Sequence, residues 1–345
     1  MSNELTFKHE SALKHEVVSV AHPPPGETMC GICIDSTARP DVDFELVDGK
    51  RICAACAKEL RNPLDRKALH AEWLEIMERE RGGTDYDFIL AYSGGADSTA
   101  ALKLLVQEYK LRVLAFTVDN GMKSPQIWKN IGDVTRHLAV DWHYIHDATA
   151  PGAIVGALKE GDKICGDLCW KAWKQPNFDR MMRIFQKNVV LTGLEMPLGK
   201  GIMNTTYKVV AFMAAHMWPK AEVFKYLADL PWQAPEWVQG FDTDCLGGGF
   251  GLELYRSKHR RHAPAVIQFI SERVRRGLLD RDEELAKLNV PVRETEWEFL
   301  ESRLGPVRQE ARAHFLEMAG SAGSAASGAP PLVSLRVPSK ASKAD

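Results

Sequence analysis

Residues 93–98 read Ser-Gly-Gly-Ala-Asp-Ser and lie between an apolar run ending at Tyr92 and a second one, Ala100–Val106. Two glycines let a backbone turn sharply and let a ligand approach the amides. A helix opening directly after such a turn offers N–H donors and a partial positive charge, which together bind phosphate or pyrophosphate. Ser93 and Ser98 can add hydroxyl donors. Asp97 can hold Mg2+ against a polyphosphate, or it can simply cap the helix. The spacing is not that of a Walker loop, because no Gly-Lys-Ser/Thr follows, and it is not the dinucleotide fingerprint either.

A second group of reactive residues is Cys30-x-x-Cys33 and Cys53-x-x-Cys56, with 19 residues between the pairs. This spacing matches a zinc pattern in which four thiolates close a tetrahedral structural site. Zinc would then fold a segment too short to build its own core. Cys165, Cys169 and Cys245 complete the seven cysteines. Three thiolates can hold a [4Fe–4S] cluster with one open iron, one of them can be a nucleophile, or all three are inert buried residues.

The surrounding pattern predicts the elements that must position these groups. Asp87–Tyr92 reads as a strand, 97–109 as a helix, 111–118 as a strand and 124–138 as a helix. Short strands follow at 141–145 and 189–192. Further helices are expected over 170–187, 205–217 and 220–229. Continuous apolar strands separated by helices predict an α/β fold, a doubly wound parallel sheet with both faces covered. Phe116-Thr117-Val118-Asp119-Asn120-Gly121 ends the second strand and Leu191-Thr192-Gly193-Leu194-Glu195 a later one. Both fall at the carboxyl edge where ligands sit in open α/β sheets, and Gly193 could admit a nucleotide. Lys200, Asn204, Thr205 and Lys208 follow that turn and could face the nucleotide. His143 and His146 could line the pocket or be buried, hydrogen-bonded histidines.

The organisation read from the chain is an irregular N-terminus (1–28), a zinc-ribbon-like four-cysteine segment (29–62) and a helical linker (63–84). An α/β domain (85–258), a helical C-terminal region (259–318, with helices at 261–277, 281–288 and 294–318) and a disordered tail (319–345) follow. Hydrophobic residues make up 45% and charged residues 26% of 345, ordinary for a globular chain. A formal net charge of −2 gives no global attraction to nucleic acid or an anionic membrane. The first 25 residues hold no apolar leader, and no apolar run is long enough to span a bilayer. The expectation is a cytoplasmic protein with no membrane partner.

The loop Ser93–Ser98 resembles the PP-loop of the N-type ATP pyrophosphatases. The resemblance implies that Ser93, Gly94, Gly95, Asp97 and Ser98 grip the pyrophosphate of ATP, and that Thr117, Asp119 and Gly193 complete the nucleotide site. It also implies that a substrate oxygen attacks the α-phosphate to give an adenylate. Further stretches are similar to the N-acetyl sugar amidotransferases of bacterial surface-polysaccharide synthesis. These are Cys30-x-x-Cys33-x-Asp35-Ser36-Thr37-x-x-Pro40-Asp41-Val42-x-Phe44, Asp48-Gly49, Cys53-x-x-Cys56, Tyr86–Ile89, Asp119-Asn120-Gly121 with Asn130-Ile131, and Val274–Leu279 with Glu283-Glu284. The similarity covers residues 29–146 well, 260–290 loosely, and 150–258 not at all. It implies ATP, Mg2+ and Zn2+ as cofactors, a small-molecule or nucleotide-sugar substrate, and ammonia from a separate glutaminase partner, since no glutaminase signature is present. The competing reading is sulfur transfer to tRNA or a small molecule. It would use a [4Fe–4S] cluster or thiol at Cys165, Cys169 and Cys245, with the basic tract 256–262 contacting RNA or a diphosphate. A third reading is a non-catalytic zinc- and nucleotide-binding module.

Overall fold

A computed structural model describes residues 26–37, 42–150, 152–153, 169–235 and 265–288, together with 298 and 302. Two antiparallel strands, β1 (Phe44–Val47) and β2 (Lys50–Cys53), form a hairpin whose Asp48-Gly49 turn has positive φ at both residues. Helix α1 (Ala54–Arg61) follows at once, and α2 (Arg66–Glu80) begins at Asp65, whose side chain accepts from the N–H groups of Lys67 and Ala68.

The main sheet has six strands in the order β5-β4-β3-β6-β8-β7. They are β3 (Phe88–Ala91), β4 (Val113–Asp119), β5 (Trp142–His146), β6 (Val190–Thr192), β7 (Met203–Asn204) and β8 (Val209–Ala211). All neighbours are parallel except β7, which runs antiparallel to β8. Ile89 pairs with Leu114 on one side and Val190 on the other, so β3 is the central strand. The chain runs outward from β3 to β4 and β5, then returns to lay β6 on the opposite side of β3. That reversal puts a topological switch point between the carboxyl ends of β3 and β6.

Helix α3 (Ala96–Lys103) continues as a wider π-turn over Leu104–Glu108. Helix α4 (Pro125–His137) starts with Pro125 at its first position and Ser124 as cap. Both pack on one face of the sheet, in a core with Leu90, Tyr92, Leu102, Ala115, Ile127 and Ile131. The other face, through Ile89, Phe116 and Val190, is covered by Phe178, Met181 and Met182 of α5 (Gln175–Phe185). A π-turn, Trp170–Lys174, leads into α5. Helices α6 (Lys220–Tyr226), α7 (Ala265–Arg275) and α8 (Arg281–Leu288) complete the described elements.

Two sequence expectations change. The stretch 205–217 is not a helix: it holds strand β8 and a short 3-10 turn, Phe212–Ala215. Val209–Ala215 is buried throughout, and an apolar run without a polar face does not distinguish a core strand from a helix. The stretch 63–84 is no mere linker either. Trp73 of α2 is fully buried, its ring 4.7 Å from Phe212 and 5.7 Å from Phe88, and Glu72 accepts hydrogen bonds from the N–H of Ile202 and Met203. The helix belongs to the main core. The expected helix at 294–318 and the tail 319–345 fall outside the described residues apart from 298 and 302.

Candidate functional site

Strand β3 ends at Ala91, and the next four residues turn into α3 at the switch point. Gly94 makes the turn with φ +83, where a Cβ would stand 2.6 Å from Cγ1 of Ile131. Its carbonyl accepts from the indole of Trp232 at 3.0 Å. The hydroxyls of Ser93 and Ser98 are 2.9 Å apart, and those of Ser98 and Thr99 donate to the Gly95 carbonyl. The loop is therefore fixed from both sides. Gly95 caps α3 without any side-chain cap, so the positive end of the helix faces the turn.

Asp97 is not the helix cap. Its carboxylate meets Lys220 Nζ at 2.5 Å, across 123 residues of chain. Beside this pair lies a second one, Glu195 in the loop just after β6 and Arg273 of α7, both nearly buried. Burial is the main force on Asp97 and, with the nearby Glu195 charge, pushes its carboxyl up to about 6 against the pull of Lys220. Burial works against ionisation of Glu195 too, but Arg273 and Lys220 outweigh it and hold that carboxyl below its ordinary value. Burial likewise opposes the charge of Lys220, and Asp97 and Glu195 outweigh it. Two acids and two bases thus balance at the turn, a layout suited to exchanging partners with a charged ligand.

Gly193 has a different role from the one its sequence suggests. A Cβ there would lie 2.5 Å from the Ser98 nitrogen and 2.6 Å from its Cα. The glycine lets the end of β6 touch the start of α3, so the space beside it holds protein backbone. The hydroxyl of Thr117 donates to the Tyr92 carbonyl at 2.6 Å and accepts from the Trp142 indole at 3.0 Å. Asp119 accepts from the Gly121 N–H and from the Tyr144 hydroxyl. The side chains of Thr117 and Asp119 thus brace the strand ends, which leaves their backbone as what a ligand would meet.

The four cysteines of the first segment converge. Cys30 and Cys56 sulfurs are 3.7 Å apart, as are those of Cys33 and Cys53, and all four lie within 4.8 Å of one another. Metal–sulfur bonds of about 2.3 Å in a tetrahedron require sulfurs about 3.8 Å apart, so the cage fits a single ion. Backbone N–H groups of Ile32, Cys33 and Cys53 point at the Cys30 sulfur. Arg281 donates to the carbonyls of Cys33 and Cys30, and Arg275 lies 3.7 Å from Asp35 beside the cage. Ile267, Ile270 and Val274 of α7 share one core with the four cysteines.

No family model matches the chain. An uncharacterized protein of Methanocaldococcus jannaschii is 31% identical over 275 residues, which span 76% of this chain and 94% of the archaeal one. The chain belongs to the family of that archaeal protein. Within this family member, the sequence-read residues divide in three. Ser93, Gly94, Gly95, Asp97, Ser98 and Gly193 come together at the switch point, and Cys30, Cys33, Cys53 and Cys56 form their own cage. Cys169, half-buried just before the π-turn, is the described member of the group Cys165, Cys169 and Cys245. Cys165, Cys245 and the tract 256–262 lie outside the described residues.

Other expected residues sit elsewhere. Thr205 and Lys208 occupy the exposed turn that precedes β8, and the Lys208 carbonyl accepts from Val190 at the start of β6. That is the amino edge of the parallel strands, opposite the Asp97 turn. Asn204 caps the same turn, accepting from the Tyr207 N–H, and Lys200 is exposed in the Leu198–Gly201 turn. His143 and His146 are exposed on edge strand β5, so neither is a buried core histidine. Nothing local in the sequence marks Lys220 or Arg273, and Glu195 stands there only as the end of the motif Leu191–Glu195. Their pairing spans 78 to 123 residues, and no local periodicity reports that.

Among the described residues no helix is long and apolar enough to cross a membrane.

Proposed function

We propose that the protein is an ATP-dependent enzyme of the PP-loop type that activates a substrate oxygen by adenylation. The observation behind this reading is the Ser93–Ser98 turn at the sheet's switch point. It opens an uncapped helix, with Asp97 facing Lys220 and with Glu195 beside it. The β- and γ-phosphates of ATP would rest on Ser93, Gly94, Gly95 and Ser98 at the helix start. Asp97 would bind Mg2+, with Glu195 as the neighbouring carboxylate. Lys220 and Arg273, released from their acidic partners, would face the phosphate charge. Rate enhancement would come from alignment and charge stabilisation rather than covalent chemistry.

In the amidotransferase reading, the acetamido oxygen of a sugar attacks the α-phosphorus and pyrophosphate leaves. Ammonia then adds to the activated carbon and AMP departs with the former amide oxygen, giving an acetamidine. A glutaminase partner would supply the ammonia. The four-cysteine cage would hold Zn2+ as a structural ion; four thiolates at this separation suit it. The test is incubation with MgATP, ammonium chloride and a panel of nucleotide-linked N-acetyl sugars, one labelled with heavy oxygen in the acetamido group. The reading predicts AMP and pyrophosphate in equal amounts and the heavy oxygen in AMP. ADP and phosphate as products would contradict adenylation. AMP without the label would contradict attack by the amide oxygen.

A further inference from the structure

Arg273 and Arg275 are two residues apart on α7, so they project about 200° apart around the helix. Arg273 turns to Glu195 at the nucleotide-side cluster. Arg275 turns to Asp35, 3.7 Å away, and to the side of the cage formed by Cys33, Cys53 and Cys56. Neighbouring residues repeat the division. Arg276 pairs with Glu59 of α1 at 3.3 Å, and Arg281 holds the carbonyls of Cys30 and Cys33 at 3.1 and 3.2 Å. On the other side the Leu278 carbonyl accepts from the N–H of Lys220 at 2.9 Å, and the Lys220 side chain reaches Asp97. One short stretch, 273–281, thus fastens the cysteine segment and also both basic groups at the turn.

We infer that residues 273–281 form a strap through which the four-cysteine centre positions Arg273 and Lys220, so that filling the sulfur cage tightens nucleotide binding at the Asp97 turn. The inference rests on the nucleotide reading above. Its physical basis is the shared core: Ile267, Ile270 and Val274 pack directly against the cysteines. A segment this short depends on its ion for folding, so an empty cage removes the surface on which α7 sits. An α7 without that support no longer fixes Arg273, and the nearly buried Glu195 loses its hydrogen-bonded partner and keeps only the charge of Lys220. Arg275 acts through the strap and touches neither the nucleotide nor the loop.

The test is MgATP affinity by titration calorimetry for the wild type and Arg273→Ala, each metal-loaded, chelated, and reloaded with zinc. The strap predicts that chelation weakens binding to the wild type about tenfold, inside the 5–150-fold range typical of coupled sites, and that zinc restores it. Loaded Arg273→Ala is already weakened, and chelation weakens it further by less than it weakens the wild type, because only Lys220 is left for the strap to position. Unchanged affinity after chelation, or equal weakening in both proteins, overturns the strap. If chelation abolishes the thermal unfolding transition, Arg275→Ala with its metal retained takes its place. It should weaken MgATP while Arg275→Lys recovers part of the affinity, and full affinity in Arg275→Ala overturns the strap. Loaded wild type that binds no MgATP would sink the nucleotide reading instead. Hydrogen exchange without nucleotide then decides the strap. Faster exchange at both 93–98 and 273–281 on metal removal supports it, and faster exchange confined to 29–62 overturns it.

Discussion

Gly193 and Asp97 show how much of the site is decided by single atoms. Gly193→Ala forces a Cβ to 2.5 Å from the Ser98 nitrogen, against backbone that cannot step aside. Overpacking of this kind costs about 1–3 kcal/mol, so the variant should melt earlier and lose nucleotide binding, as thermal denaturation and calorimetry would report. In the proposed nucleotide site Asp97 would have to be ionised to hold Mg2+, and its carboxyl is pushed up to about 6, chiefly by burial. Mg2+-dependent nucleotide binding by the free protein should therefore rise with pH through a midpoint near 6. Stability has the opposite sign. A carboxyl raised in the folded state contributes most below its unfolded value, and that contribution fades as pH rises through about 6. A binding profile measured beside a melting profile separates the two, and Asp97→Asn should flatten both near pH 6. The sequence showed Asp97 as a candidate because its motif is local. It left open whether the residue capped the helix, because Lys220 lies 123 residues away.

At the level of elements, legibility followed the pattern of exposure. Helix α4 was readable because Ile127, Ile131 and Val134 are buried on one face while Lys129, Asp133 and Arg136 pair on the other. Strand β8 was not, since Val209, Val210 and Ala211 run straight into a buried 3-10 turn and no polar face marks the change. Helix α2 was readable as a helix, but its destination was not. Its spacing reports Leu69, Trp73 and Ile76 as one face and says nothing of what they meet. Trp73 sits among Phe88, Tyr109 and Phe212, so α2 is the panel that closes this side of the core. Trp73→Ala should cost about 3–5 kcal/mol, measured as a lowered denaturant midpoint. If α2 were only a tether between domains, the midpoint would barely move.

Across the whole molecule, the two ends of the described chain meet. The cysteine segment, from Cys30 to Cys56, and helices α7 and α8 at residues 265–288 share one core, and α7 and the segment after it also reach the turn at 93–98 through Arg273 and Lys220. The sequence separated these into an N-terminal zinc-ribbon-like segment and a C-terminal helical region; the four-cysteine cluster and helices over 265–275 and 281–288 were legible one by one. Their union was not, because contacts such as Arg281 to Cys30, 251 residues apart, leave no local signature. The architecture predicts that the cysteine segment and the main domain unfold together: Cys33→Ser should lower the metal content and shift the single melting transition of the whole chain. A separate early transition with the main one unmoved would show two independent units.

The proposed nucleotide site at the Asp97 turn is decided by ATP binding to the purified chain with and without Mg2+, beside Asp97→Asn at equal metal content in the cysteine cage. Mg2+-dependent binding of about one ATP per chain is expected, as for a single helix-start phosphate site, together with its loss in Asp97→Asn. Binding that is absent from the wild type, or unchanged in the variant, would contradict it.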